Sequence, residues 1–127
     1  MAISNINQEK ENRTFRRGEV YYVDFSSFQG SEQGGIRPAL ILQNNIGNYF
    51  CPTITVVPLS TKIKREDLST HYILKKDRNS FLVQDSVVCV EQVRAVDKKR
   101  FKNYFGTINK SDLRTITGLL FANLCGE

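Results

Sequence analysis

Apolar residues arrive in short runs, cut apart by polar and glycine-dense stretches. Val20-Tyr21-Tyr22-Val23-Asp24-Phe25 is β-branched and aromatic, which predicts a strand. Pro38-Ala39-Leu40-Ile41-Leu42 predicts a second, because a proline is tolerated at a strand start. Thr53 to Leu59 predicts a third, with Pro58 marking an edge or a strand end. His71-Tyr72-Ile73-Leu74, Ser86 to Val90 and Gln92 to Val96 supply three more candidates. Asn44-Asn45-Ile46-Gly47-Asn48 and Cys51-Pro52 read as a connection.

After Val96 the pattern changes. Asp97 is placed to cap a short helical turn running to Phe105, with Gly106 as its stop. Ser111 is placed to cap a final helix with Leu113, Ile116, Leu120 and Leu124 on one apolar face and Gly126 at its C-terminal end. Strands first and a helix last predict an α+β domain built on a small antiparallel barrel. Residues 1–14 hold only two isoleucines among polar residues, so they predict a flexible N-terminal tail ahead of a single domain over 15–127.

Composition narrows the function classes. No apolar run approaches the roughly 18–20 residues that span a bilayer, and the N-terminus has no hydrophobic stretch of a signal peptide. Cys51, Cys89 and Cys125 are widely spaced and form no CxxC pair. They predict reduced thiols in a cytosolic protein and no metal cluster with the lone His71, which is read as structural. A net charge of +5 and a pI near 9.2 fit a polyanionic partner, though ordinary solubility explains them as well. Between Arg94 and Arg114 seven Lys/Arg face only Asp97 and Asp112.

Familiar catalytic devices are missing. The Gly30–Gly35 loop lacks the Gly-Lys-Ser/Thr of a P-loop and enters a strand rather than a helix, which removes the dinucleotide-binding reading too. A single histidine is too few for a two-histidine ribonuclease and argues against a zinc hydrolase. No Gly-x-Ser-x-Gly elbow is present. What remains is Gly34-Gly35-Ile36-Arg37-Pro38, where Pro38 holds Arg37 extended between a glycine-rich loop and a strand. A planar, permanently charged fork on stiff backbone suits a phosphate; a plain surface arginine at a strand start is the other reading.

The run Arg17-Gly18-Glu19-Val20-Tyr21-Tyr22-Val23-Asp24-Phe25, followed by Gly30-Ser31-Glu32-Gln33-Gly34-Gly35-Ile36-Arg37-Pro38, resembles the opening of MazF/PemK endoribonuclease toxins of type II toxin–antitoxin systems. Gln43 to Asn48, Pro52-Thr53, Ser69-Thr70-His71, Asp85-Ser86-Val87 and Glu91-Gln92-Val93-Arg94 continue the likeness in order, to about Arg100, and it is strongest to the Gram-positive branch. The resemblance implies an SH3-like antiparallel barrel with a C-terminal helix, a cytoplasmic homodimer, and a MazE-like antitoxin partner with which the toxin binds DNA. It implies metal-independent cleavage of single-stranded RNA, with no cofactor and no membrane partner.

By the same resemblance Arg37 is catalytic, and the second catalytic position, usually a threonine, falls on Ser60 with Thr61 beside it. Glu32 is a chemically easier proton acceptor than a guanidinium with a pKa above about 12, although a solvated loop carboxylate is an equal reading. Ser31, Gln33, Asn44 and Gln92 are the expected RNA-binding residues. Phe28, the Lys98-Lys99-Arg100 run and Phe101, Tyr104 and Phe105 are weaker candidates, better explained by packing or solvation. The competing functions are a catalytically inactive RNA-binding or antitoxin-sequestering barrel and a proline-peptide scaffold, the last disfavoured by the absence of tryptophan.

Overall fold

The computed structural model of the chain describes residues 14–26, 35–62 and 69–125. The expected tail, the loop tip with Phe28, Ser31, Glu32 and Gln33, and the Gly126 cap therefore lie outside the described residues. Seven strands form one antiparallel sheet: β1 (Glu19–Asp24), β2 (Ile36–Ile41), β3 (Thr53–Ser60), β4 (His71–Leu74), β5 (Ser86–Cys89), β6 (Arg94–Asp97) and β7 (Phe101–Thr107). Helices α1 (Asn45–Phe50) and α2 (Lys110–Cys125) complete the domain. The strand order is β4-β5-β3-β2-β1-β7, with β6 pairing β3 beside β5. Among the described residues no helix is long and apolar enough to cross a membrane.

Strand alternation builds two cores, one on each side of the sheet. Val20, Leu40, Val57, Leu59 and Val88 point to one side, where Ile116, Leu113, Leu119 and Leu120 of α2 cover them. Tyr21, Val23, Phe25, Ala39, Ile41, Ile54 and Val56 point to the other, where Val96, Phe101 and Phe15 fill the concave side. Phe15, Tyr21 and Phe101 meet there with ring centroids 4.7–5.7 Å apart. The β1–β7 ladder slips register on both sides of Tyr21, and such bulges bend a strand, which curls the sheet over this second core.

Four expectations change. Asp97 does cap a turn, its carboxylate accepting from Lys99 N at 2.8 Å, but the 3-10 turn stops at Arg100. Residues 101–107 then pair with β1 as β7, with Phe101 opposite Val23, Tyr104 opposite Tyr21 and Gly106 opposite Val20. Gly106 is no helix stop. A Cβ there would come within 2.2–2.5 Å of the Phe81 ring, so the strand passes under that ring only as glycine. Pro58 lies at no edge: β3 pairs β2 on one side and both β5 and β6 on the other. The β6 ladder ends at Val56 and the β5 ladder begins at Leu59, so the proline sits in the gap where no ladder donor is needed.

At the ends of the helices the caps also differ. Asn109, not Ser111, caps α2: its side-chain oxygen accepts from Ser111 N at 2.7 Å. Leu124 is 67% exposed, because the last turn of α2 runs past the core that Leu113, Ile116 and Leu120 cover. The connection after β2 contains α1, capped by Asn44 accepting from Gly47 N at 2.8 Å. Asn-Gly chemistry there signals a turn, and six residues of helix carry too weak a period to be seen.

Candidate active site

Phe25 N donates to Gly35 O at 2.9 Å, which pinches the chain shut at the base of the 26–35 loop. Gly35 sits at φ +74, a backbone conformation that suits glycine at this exit. Asp24 stands at the same end of β1, its carboxyl held below the usual range first by the Ser26 hydroxyl at 2.7 Å. From this fixed base the chain enters β2 through Ile36, which is 61% exposed, and Arg37, which is half-buried.

Arg37 is paired with Val23 across the β1–β2 ladder. On its other side the β2–β3 ladder ends with Ala39 opposite Pro58, and Arg37 and Ser60 each lie two residues beyond that pair on the same face of the sheet. Ser60 in turn pairs with Val87 of β5. Neighbouring strands lie about 4.8 Å apart, so the guanidinium and the hydroxyl rise from one face over a short span. Together with Gly35, Ile36, Pro38, Leu59, Thr61 and Ser86 they line one open cleft of about 390 Å3.

Ser60 is 8% exposed and its Oγ accepts from Lys62 N at 3.1 Å. That bond fixes the oxygen and leaves the hydroxyl proton for a donor role. Thr61 is exposed on the cleft rim. A fixed cation and a hydroxyl donor on adjacent strands can share one oxyanion, which is the arrangement a phosphate with growing negative charge requires.

Of the expected nucleic-acid-contacting residues, Ser31 and Gln33 lie outside the described residues, as does Glu32. Asn44 is not brought to the cleft. It caps α1 beyond the far end of β2, whose four steps from Arg37 to Ile41 alone span about 13 Å. Gln92 ends the 3-10 turn Val90–Gln92 that follows β5, outside the cleft lining. The basic run sits beside the sheet: Lys98 Nζ reaches Tyr49 O and Arg100 reaches Asp24 O, each at 3.3 Å. Phe101 and Phe105 pack in the two cores, whereas Tyr104 is 54% exposed.

Several residues of this face escape a linear reading. Ser86 lines the cleft only because β5 runs beside β3, and its one early signal was its place in the Asp85-Ser86-Val87 segment. Arg94 lies over the Phe25 ring at 5.1 Å, a cation–π contact that spans the concave core. Linear spacing gives no sign of donor groups gathered around His71, yet the fold gathers three. Strand pairing sets His71 opposite Cys89, and their donor atoms and that of Glu91 lie within 4.8 Å of one another. The Cys89 thiol is pushed up to about 11, chiefly by burial and then by Glu91, with Arg37 opposing.

Comparison with known proteins identifies the family. The family described as PemK-like, MazF-like toxin of type II toxin–antitoxin systems matches residues 16–122. An endoribonuclease MazF from Staphylococcus epidermidis is 39% identical over 109 residues, covering 86% of this chain and 90% of that protein. Among solved structures, a MazF from Deinococcus radiodurans aligns at TM-score 0.74 and 21% identity, over 87% of this chain and 96% of its own. A mycobacterial endoribonuclease in complex with its cognate antitoxin aligns at TM-score 0.71 and 22% identity, over 87% and 94%. These two likenesses show that the seven-stranded antiparallel sheet with its C-terminal helix is a fold shared with those proteins, consistent with an SH3-like barrel.

Proposed function

Because the chain belongs to the PemK-like, MazF-like toxins of type II toxin–antitoxin systems, we propose that it is an endoribonuclease whose Arg37 and Ser60 hold the phosphate being cut. The observation that carries the proposal is their convergence from β2 and β3 on one open cleft. Single-stranded RNA brings its own nucleophile, the 2′-hydroxyl. The chain need only position the phosphate and stabilise its extra charge, and no protein nucleophile is required. Attack of the 2′-oxygen on phosphorus breaks the bond to the 5′-oxygen, giving a 2′,3′-cyclic phosphate and a 5′-hydroxyl end. No metal takes part in this scheme.

Arg37 is assigned to charge stabilisation rather than to proton removal, since guanidinium stays protonated. Glu32, on the loop whose base is pinched by Phe25 and Gly35, is assigned as proton acceptor. Glu32→Gln should then flatten the acid limb of the cleavage rate, and an unchanged single-turnover profile across pH would remove Glu32 from the mechanism. Ser31 and Gln33 on the same loop, with Gln92, are assigned to base contacts. Asn44 joins them only through its amide NH2, because its oxygen is committed to the α1 cap. We assign the toxin to the cytoplasm as a homodimer that binds DNA together with a MazE-like antitoxin; a structural relative solved with its cognate antitoxin supports the antitoxin partner.

Long single-stranded RNA incubated in excess chelator with wild type and with Arg37→Ala tests this assignment. Discrete fragments that survive the chelator and vanish with Arg37→Ala are expected. RNA left intact by the wild type would favour the alternative of an inactive barrel that binds RNA or sequesters antitoxin.

A further inference from the structure

Outside the cleft, the described residues with the most concentrated donor chemistry are His71, Cys89 and Glu91. His71 on the terminal strand β4 faces Cys89 on β5 as direct antiparallel partners, a position where Cβ atoms stand about 5 Å apart. The 3-10 turn that follows β5 returns Glu91 to the same place, its Oε2 3.0 Å from His71 Nε2. Nitrogen, sulfur and oxygen donors thus lie within 4.8 Å of one another.

We propose that this trio is a binding site for a zinc-class divalent cation. One thiolate, one imidazole and one carboxylate form a borderline-soft set that suits Zn2+ and discriminates against Mg2+ and Ca2+, which demand oxygen shells. Tetrahedral ligands at bond lengths of about 2.0–2.3 Å stand roughly 3.3–3.7 Å apart, so the observed trio needs side-chain adjustments of about 1 Å. Cys89 is 3% exposed, whereas the side chains of His71 and Glu91 are 14% and 34% exposed. The sulfur therefore sits at the protein end of the site and the carboxylate at its entrance. Binding forms one sulfur–metal bond and releases the thiol proton to solvent; no electron is transferred.

The site shares a sheet face with the cleft. Val88 and Leu59 point into the helix-covered core, so Cys89, His71, Ser60 and Arg37 all project from the opposite face. The three-ligand site thus stands two strands away from Arg37. It carries no part of the cleavage scheme, and its occupancy stands or falls independently of the RNA-cutting assignment.

Cobalt(II) titrated into the full, reduced, metal-free chain tests the site. The expected result is one equivalent of near-ultraviolet thiolate-to-cobalt absorption, displaced by Zn2+ and not produced by Mg2+. Cys89→Ser and His71→Ala should each abolish the band, and Cys51→Ser with Cys125→Ser should leave it intact. Glu91→Gln, which preserves size at the exposed end of the trio, should weaken cobalt binding by at least about tenfold. No band in the wild type, a band that survives Cys89→Ser or His71→Ala, or one that disappears with the Cys51/Cys125 pair would overturn the site. Unchanged affinity in Glu91→Gln would overturn the three-ligand assignment.

Discussion

Ser60 and Asp112 are both polar residues buried against this sheet, and their surroundings differ in kind. Asp112 at the start of α2 is 2% exposed and accepts from Tyr72 OH at 2.5 Å and from Asn79 Nδ2 at 3.0 Å, with Arg78 at 3.6 Å. Asn79 is itself fully engaged, donating to Lys75 O and accepting from Asn109 N at 2.7 Å. That network stitches β4, the turn after it and the start of α2 into one unit. Ser60 opens onto a cleft instead, and the bond it accepts from Lys62 N leaves its own proton to give. Polar capacity saturated inside the fold supplies stability, and polar capacity left facing a cleft supplies chemistry.

The contrast predicts opposite consequences for truncation on the two sides. Arg37→Ala should lower single-turnover RNA cleavage by on the order of 10²–10³, with the melting temperature nearly unchanged. Ser60→Ala should cost about 10² in the same assay and Thr61→Ala less than about threefold, since the exposed rim threonine lacks the fixed geometry of Ser60. A Thr61→Ala loss as large as that of Ser60→Ala would move the catalytic hydroxyl by one residue.

On the structural side the effects should appear in melting and not in intrinsic rate. Asp112→Ala strands the Tyr72 hydroxyl and the Asn79 amide and should cost about 3 kcal/mol, near 10 °C by calorimetry. Gly106→Ala drives a methyl into the Phe81 ring and should cost about 2 kcal/mol by denaturant midpoint. The smallest effect concerns pH. Burial and then the Asp112 bond raise Tyr72 from 10.0 to about 12, so the folded chain holds that proton more tightly than the unfolded chain. Its contribution is whole below pH 10 and is lost as pH rises through 12. Tyr72→Phe should flatten the fall in melting temperature across that window; an identical fall would remove Tyr72 as its source.

The two regions were not equally legible in the sequence. β1 to β5 follow from β-branched runs because each strand carries its own alternation, and Arg37 was visible because a glycine-rich loop and Pro38 frame it locally. The Asp112 network was invisible, since Tyr72, Asn79 and Asp112 are joined only by packing α2 on β4. β7 is hidden for a related reason: Asp97-Lys98-Lys99-Arg100 carries a genuine local cap, and pairing with β1 overrides it from Phe101 onward. The Ser60 register and the His71–Cys89 pairing likewise exist only once β3, β4 and β5 are side by side.

The shared-phosphate account is tested most directly by a double-mutant cycle of Arg37→Ala and Ser60→Ala in single-turnover cleavage of one defined RNA. If both groups stabilise the same oxyanion, the double variant should lose little more rate than Arg37→Ala alone. Losses that multiply in full, leaving no coupling between the two positions, would contradict it.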